Sequence, residues 1–224
     1  MLHCAAMFEA IFWDNDGVLA DTESLYYRAT REVLATVGVA LSEDAYVELF
    51  LREGKGAWHL AEARGLSAGR VQALKRQRND LYSALIDAGP ALFPGVVDIV
   101  QRLSGRYRMA IVTSSETEAF DRIHRRTGLL PHFELVVTRG DYRASKPHPE
   151  PYLCALERSR LAPEQCLVVE DSERGLRAAK AAGLTCWVIP SDLTRRCEFA
   201  GADRVLASAG DLAAALLPTA SHCR

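Results

Sequence analysis

Apolar residues in this chain fall into short dense runs separated by stretches in which they recur every three or four positions. The dense runs are apolar almost throughout, which is typical of strands buried on both faces of a parallel sheet. They cover residues 8–13, 109–112, 133–137, 167–169 and 184–189. Alternation of such strands with helices predicts a doubly wound, Rossmann-like α/β fold with right-handed crossovers.

Several predicted helices have readable ends. Pro94 lies near the start of one that continues to about Gly105, and another begins near Pro149. Ser172 is a good N-cap for a helix that ends at Gly183.

The region from about Asp21 to Gly89 breaks this alternation, because it contains helical patterns and no strand. Its longest helix is predicted from about Ser67 to Asp87. We therefore predict a catalytic core over residues 1–20 and 91–224, with an inserted all-helical cap over residues 21–90.

Length and composition narrow the class of protein. The 224 residues, 49% hydrophobic and 25% charged, fit one globular core with a smaller module. A net charge of -2 gives no electrostatic basis for binding nucleic acid or an anionic membrane. No apolar run approaches the roughly 20 residues that span a bilayer, and nothing resembles a signal peptide. The six cysteines show no CxxC spacing, so we expect reduced thiols, as is usual in the cytoplasm. We expect a soluble, cytoplasmic and monomeric protein.

Polar residues follow the predicted strands at the positions where ligands bind in parallel sheets. Carboxylates follow the first and a later strand, hydroxyls follow the second, and a lysine lies in a proline-rich loop between them. These residues are Asp14, Asp16, Thr113, Ser114, Ser115, Lys146, Glu170 and Asp171. We expect them to meet in one crevice.

So many carboxylates in one crevice repel one another, and a hard cation such as Mg²⁺ would relieve that repulsion. Mg²⁺ and Lys146 would neutralise a phosphoryl group, whose oxygens would accept hydrogen bonds from Thr113 and from the backbone of Ser114 and Asp16. The Asp14 carboxylate can attack phosphorus, and Asp16, on the same face two residues later, can act as acid and base.

The motifs resemble those of the haloacid dehalogenase superfamily, in its β-phosphoglucomutase and sugar-phosphatase branch. Residues 12–23, 112–115, 146–152 and 170–183 are similar to its four motifs, and the predicted helical insertion is similar to its cap. The resemblance extends from about residue 8 to residue 217.

The resemblance implies a role for each matching residue. Asp14 would be the nucleophile and a metal ligand, and Asp16 the general acid/base, which also gives a backbone carbonyl to Mg²⁺. Thr113 and Lys146 would hold the phosphoryl group. The metal site would be completed by Glu170 and Asp171.

Two basic residues of the predicted cap are candidate substrate-binding residues. Arg78 interrupts an apolar stripe on the long helix, so its side chain either extends to the edge of the helix and solvent or faces a buried anion. Lys55 is the second candidate, in a glycine-flanked loop, although most such lysines are solvated. Glu116 lies where the mutase branch has a basic residue that binds a second phosphate, and an acid there would repel a bisphosphate.

We therefore predict a Mg²⁺-dependent phosphatase that hydrolyses a small phosphorylated metabolite, a sugar or polyol monophosphate, through an aspartyl-phosphate. The alternative enzyme is a β-phosphoglucomutase-type phosphohexomutase. A third hypothesis is a signalling module switched by aspartyl-phosphate, but Asp16 argues against it, because an acid that activates water would shorten the life of that species.

Overall fold

The computed structural model describes residues 8–89 and 92–217. Within them the strands form a parallel sheet of six strands in the order β3-β2-β1-β4-β5-β6. The strands are β1 (Ala10–Trp13), β2 (Arg108–Val112), β3 (Leu135–Val137), β4 (Cys166–Glu170), β5 (Thr185–Val188) and β6 (Arg204–Val205). The prediction of a doubly wound α/β sheet is confirmed. The two-residue β6 was not predicted.

Helices occupy the connections between these strands. They are α1 (Thr22–Ala35), α2 (Glu43–Tyr46), α3 (Trp58–Glu62), α4 (Ala68–Asp87), α5 (Val96–Ser104), α6 (Thr117–His124), α7 (Glu150–Ser159), α8 (Glu173–Ala181) and α9 (Ala209–Leu216). A π-helical turn, Val47–Arg52, continues α2, and short 3-10 turns cover Leu130–His132, Arg139–Asp141 and Pro163–Gln165. None of the helices in the described part of the chain is long and apolar enough to cross a membrane.

The core consists of one apolar layer on each face of the sheet. Since successive strand side chains point to opposite faces, Ile11 and Trp13 pack with α5, α6 and α9, and Phe12 packs with α7 and α8. The nearly continuous apolar runs in the sequence follow directly from this two-sided burial.

The elements from α1 to α4, here called the helical insertion, lie over the stretch predicted as a cap. They bury an apolar cluster of their own, in which Leu34, Tyr46 and Leu74 are fully buried. The segment that leaves the core before the insertion lies beside the segment that returns to it, since the Phe93 N–H donates to the Leu19 carbonyl at 3.1 Å. The division of the chain into two domains stays a prediction.

The predicted helix starts agree with the observed caps. The Ser67 hydroxyl accepts the Arg70 N–H at 3.3 Å, and the Ser172 hydroxyl accepts the Gly175 N–H at 3.1 Å. Helices α6 and α9 were not predicted. Among the described residues the free thiols are Cys154, Cys166, Cys186 and Cys197, whereas Cys4 and Cys223 lie outside the described ranges.

The start of α8 passes so close to the end of β4 that only glycine fits. A Cβ on Gly175 would lie 1.9 Å from the Glu170 carboxyl carbon. Alanine is worth about 1 kcal/mol over glycine inside a helix, but here it must displace a buried carboxylate. We expect Gly175→Ala to lower the melting temperature. The control is Gly69→Ala in α4, whose nearest neighbour, the Ser67 hydroxyl, would lie at 4.0 Å. Gly69→Ala should have a melting temperature at or above that of wild type. Equal melting temperatures of the two variants would contradict the close approach of Gly175 to Glu170.

Candidate active site

A buried cluster of charges lies at the carboxyl ends of β1, β2 and β4. The Lys146 ammonium donates to Asp14 Oδ1 at 2.8 Å, to Glu170 Oε1 at 2.7 Å and to the Val112 carbonyl at 2.9 Å. All four residues are buried, and Lys146 is only 5% exposed. The structure therefore brings the predicted lysine and two of the predicted carboxylates into direct contact across segments far apart in sequence.

Asp171 completes an acidic group with Asp14 and Glu170. One oxygen from each of the three carboxylates lies within 4.8 Å of the others. Burial, followed by the charge of Glu170, raises the pKa of Asp14 well above its usual range, although Lys146 opposes the shift. Burial and the charges of Asp14 and Glu170 likewise raise the pKa of Asp171. Burial works to lower the pKa of Lys146, but its two carboxylate partners hold it above the ordinary value.

The donor set of this acidic group fits Mg²⁺. Its ligands are hard carboxylate oxygens, which Mg²⁺ prefers, and it opens on a cavity that leaves room for the waters this ion retains. One ammonium does not neutralise three carboxylates, so a divalent cation would lower the raised pKa values of Asp14 and Asp171. The residues that would hold it are Asp14, Glu170 and Asp171.

The Asp16 side chain lies beside this group but not in it. Asp16 Oδ2 accepts hydrogen bonds from the hydroxyls of Thr113 and Ser115, each at 2.8 Å, and Oδ1 accepts one from Thr22. The predicted metal contact of Asp16, through its backbone carbonyl, stays a prediction. The hydroxyls expected to hold a phosphoryl group thus hold Asp16 in this structure, while Ser114 lines the cavity.

Tyr152 is a site residue that the sequence analysis missed. It lies on α7, fully buried, and its hydroxyl donates to Glu170 Oε1 at 2.6 Å. Its ring centroid is 4.9 Å from the Lys146 ammonium. Tyr152 therefore orients the carboxylate that Lys146 binds. In sequence it belongs to an ordinary amphipathic helix, and only its place after the Lys-Pro-His-Pro segment could have drawn attention to it.

A cavity of about 870 Å³ lies between the charge cluster and the helical insertion. Asp14, Asp16, Lys146 and Asp171 line it from the core. Much of the opposite wall is aromatic, and this wall includes Tyr26, Phe50, Trp58 and Tyr82. The cavity thus has one strongly charged end and one end that suits a partly apolar molecule.

Arg78 brings a buried cation to this cavity, which agrees with an inward orientation, one of the two expected from its position in the apolar stripe. It is 7% exposed, and its guanidinium carbon lies 4.1 Å from the centroid of the Tyr26 ring and 5.4 Å from that of Trp58. Its Nε donates to Asn79 Oδ1 at 2.8 Å, but its buried Nη1 has no partner among the described residues. An unpaired buried donor beside a cavity is suited to bind an anion.

Lys55 and Glu116 differ from Arg78 in their surroundings. The Lys55 side chain is 72% exposed and pairs with Glu53 at 3.4 Å, although it also lines the cavity. Glu116 lines the cavity from the residue before α6. Sequence position placed both near the site, and the exposure of Lys55 agrees with the expectation that most lysines in such loops are solvated.

Glu23 is a second cavity residue that the sequence analysis left without a role. It lies in the first turn of α1, accepts a hydrogen bond from the Tyr46 hydroxyl, and lines the cavity with Asp16. Burial, with a smaller contribution from Asp16, raises its pKa to about 7. The only indication of a role in the sequence was its position in residues 12–23, the segment that resembles the first motif of the family.

A hydrogen bond between buried side chains supports the loop that carries Asp14 and Asp16. Asn15 points to the opposite side, where its Oδ1 accepts the Nε2–H of His124 on α6 at 2.7 Å. Both residues are buried, and burial lowers the pKa of His124 to about 4. The Asn15 carbonyl also accepts the N–H groups of Leu19 and Ala20, at 2.9 and 3.0 Å. The sequence analysis gave Asn15 no role, whereas the structure shows that it anchors this loop.

Comparison with known proteins agrees with this geometry. A family model described as haloacid dehalogenase-like hydrolase matches residues 11–189, so the chain belongs to that family. The match contains every residue of the charge cluster, and the predicted family resemblance is confirmed.

Individual relatives resemble nearly the whole chain. Protein CbbY of Cereibacter sphaeroides is 37% identical over 92% of this chain and 94% of its own. The phosphorylated carbohydrates phosphatase of Thermotoga maritima is 35% identical over 79% of this chain and 82% of its own. The crystal structure of CbbY from Rhodobacter sphaeroides in complex with phosphate superposes with a TM-score of 0.74, at 32% identity, and covers 92% of this chain and 96% of that one. The prediction of a phosphoric monoester hydrolase is thus confirmed as the class of enzyme.

The contact between His124 and Asn15 predicts a specific pH dependence of stability. The pKa of His124 falls from 6.5 to about 4 on folding. The free energy of unfolding therefore has its full value above pH 6.5, where His124 is neutral in both states, and decreases as pH falls towards 4, because only the unfolded state then gains a proton. Between these limits the free energy of unfolding of wild type should fall by on the order of 3 kcal/mol more than that of a His124→Ala variant. Urea unfolding at several pH values measures this difference.

The same variant leaves a buried acceptor on Asn15, which should cost about 1–3 kcal/mol at pH 7. The control is His59→Ala, at an exposed position of α3, which should match wild type at every pH. If the unfolding free energies of wild type and His124→Ala run parallel from pH 7 to 4, His124 is not buried in its neutral form.

Proposed function

We propose that this protein hydrolyses a sugar or polyol monophosphate through an aspartyl-phosphate on Asp14, with Mg²⁺ as cofactor. The observation that carries the proposal is the contact of Lys146 with Asp14 and Glu170, beside Asp171, in the wall of a cavity large enough for a sugar phosphate. The phosphorylated carbohydrates phosphatase among its relatives supports the substrate class.

In the proposed reaction an Asp14 oxygen forms a bond to phosphorus while the bond from phosphorus to the ester oxygen breaks. Asp16 gives its proton to the departing alcohol oxygen. Asp16 then takes a proton from water, which attacks phosphorus and releases inorganic phosphate and the Asp14 carboxylate. Lys146 would exchange at least one of its three present acceptors for a phosphoryl oxygen, and Mg²⁺, when bound, would neutralise part of the phosphoryl charge.

The helical insertion would act as the predicted cap and select the substrate. Its aromatic wall would contact the carbon skeleton of a sugar, and Arg78 would bind an electron-rich group at the far end. Glu116, at the cavity wall, would repel a second phosphate, which favours a monophosphate.

A phosphohexomutase remains the second candidate because of one observation. The unpartnered Nη1 of Arg78 is the kind of group that binds a second phosphate, and a mutase needs such a site to hold a bisphosphate. The products distinguish the two enzymes, because a hydrolase releases inorganic phosphate and a mutase returns an isomer.

Replacement of the nucleophile tests the proposed chemistry. Asp14→Asn should lower kcat for p-nitrophenyl phosphate and for a panel of sugar phosphates by at least about 10⁴-fold, because an amide cannot form the acyl phosphate. Chelation of divalent metal should abolish activity, and added Mg²⁺ should restore it. The far-ultraviolet circular dichroism of the variant should equal that of wild type.

Phosphate release by the folded variant would contradict the nucleophilic role of Asp14. Conversion of glucose 1-phosphate to glucose 6-phosphate by wild type, without release of phosphate, would contradict hydrolysis and favour the mutase.

Two basic cavity residues give a matched test of substrate binding. Arg78→Gln should raise KM for the best sugar phosphate about tenfold or more and change kcat little, because it removes a buried charge of the helical insertion and none of the groups that act on phosphorus. Lys55→Gln should change KM less than about twofold, because its charge is exposed and already paired. Arg78→Gln should alter KM less strongly for p-nitrophenyl phosphate, which carries no sugar. Equal effects of both variants would contradict the assignment of Arg78.

A further inference from the structure

Arg174, in the first turn of α8, bonds to two separate parts of the chain. Its Nη2 and Nε both donate to the Lys146 carbonyl oxygen, at 2.5 and 3.2 Å. Its Nη1 donates to the carbonyl of Phe50, in the π-helical turn of the helical insertion, at 3.1 Å. One guanidinium thus links the core lysine to the insertion.

The contact with Lys146 is at the backbone, whereas the site uses the side chain. At the far end of that side chain the ammonium has three acceptors, Asp14, Glu170 and the Val112 carbonyl. Lys146 is therefore held at both ends. A shift of its backbone would move the ammonium relative to these acceptors, since the side chain between them is buried and already bonded.

The contact with Phe50 depends on how the insertion lies against the core. The Phe50 ring lines the cavity and stacks on Tyr46, with centroids 4.5 Å apart. The next loop approaches the same guanidinium, because a Cβ on Gly54 would lie 3.3 Å from the Arg174 guanidinium carbon. Arg174, which is half-buried and lines the cavity, thus lies between the insertion on one side and the lysine loop on the other.

Other residues of α8 also contact the π-helical turn, but they do not reach Lys146 in this structure. Glu173 pairs with the Arg52 side chain at 3.0 Å, and Arg177 Nη2 donates to the Arg52 carbonyl at 3.2 Å. These bonds attach the insertion to α8. They provide a comparison for the additional effect of Arg174.

We propose that Arg174 is a positioning residue that couples the seating of the helical insertion on α8 to the placement of the Lys146 ammonium. When the Phe50 carbonyl is in place, the guanidinium is oriented so that two of its N–H groups reach the Lys146 carbonyl. When the insertion moves away, Arg174 loses that constraint and Lys146 is held less firmly. This inference rests on the proposed role of Lys146 in phosphate binding.

The test compares Arg174→Gln with Arg177→Gln, since both remove a guanidinium that α8 extends to a carbonyl of the π-helical turn. Arg174→Gln should lower kcat for p-nitrophenyl phosphate about tenfold and raise the inhibition constant of inorganic phosphate by a similar factor. Arg177→Gln should change each less than about twofold. Arg174→Lys keeps a cation without the forked geometry and should restore part of the phosphate affinity.

Hydrogen exchange provides a readout that does not depend on activity. The His148 N–H donates to the Ser145 carbonyl at 3.0 Å and reports on the loop that carries Lys146. Its exchange should accelerate in Arg174→Gln and not in Arg177→Gln, whereas amides of Val47–Arg52 should exchange faster in both.

Equal phosphate inhibition and equal His148 exchange in the two glutamine variants would overturn the coupling and leave Arg174 as one more attachment of the insertion. If wild type neither releases nor binds phosphate, the proposed function fails, and the exchange comparison still decides the coupling. Should Arg174→Gln not fold, the same measurements on Arg174→Lys against Arg177→Lys decide it.

Discussion

The Lys146 ammonium between the carboxylates of Asp14 and Glu170 is the interaction on which the rest of this site depends. Removing two charges from water costs several kcal/mol per ion, and the cost is recovered only when geometry and further hydrogen bonds are good. Here the ammonium uses all three donors, and Glu170 also accepts the hydroxyls of Tyr152 and Ser172. The surrounding structure therefore serves to keep this ion pair satisfied while it stays accessible from one side.

Excess negative charge distinguishes the cluster from a structural ion pair. A buried pair that served stability alone would be neutral, and Asp171 adds a third carboxylate, whose side chain accepts a long hydrogen bond, 3.5 Å, from the Thr194 hydroxyl. Close packing preserves this arrangement. A Cβ on Gly17 would lie 2.0 Å from Asp171 Oδ2, as one on Gly175 would meet Glu170. Glycine thus makes room for two of the three carboxylates, which indicates that the fold maintains an acidic site whose carboxylate oxygens suit a cation.

The sequence was sufficient for the sheet and for the core of the site because both follow from local patterns. Strands buried on both faces are continuous apolar runs, and parallel strand ends meet at one edge, so residues after β1, β2 and β4 could be expected together. Contacts that join separate elements have no such local signal. Tyr152, His124 and Arg174 each lie on a helix whose pattern is ordinary, and their partners are between 18 and 124 residues away in sequence. The strand β6 has two exposed residues and no periodicity to recognise.

In the helical insertion, the sequence was informative where a regular helix fixes the position of a side chain. Arg78 was recognised because it interrupts an apolar stripe, and a charged residue within a stripe must find a polar neighbour or a cavity. Lys55 occupies a glycine-flanked loop without periodicity, where most lysines are solvated, and its side chain does extend into solvent. A regular element fixes the orientation of a side chain, whereas in such a loop the sequence offers only the general tendency of lysine to be exposed.

Under the proposed function, chemistry and selectivity would be separated in this molecule. The groups that would act on a phosphate come from strand ends of a rigid sheet, and those that would act on the rest of the substrate come mainly from the insertion. Under the proposed function, Arg78 and Glu116 would set opposite limits on that remainder, because the buried cation would favour an electron-rich group and the acid would disfavour a second phosphate. A sugar hydroxyl would satisfy both, since it can accept a hydrogen bond from Arg78 without carrying the charge that Glu116 repels. The proposed coupling through Arg174 would connect the two parts and give the sheet a means to respond when the insertion has enclosed a substrate.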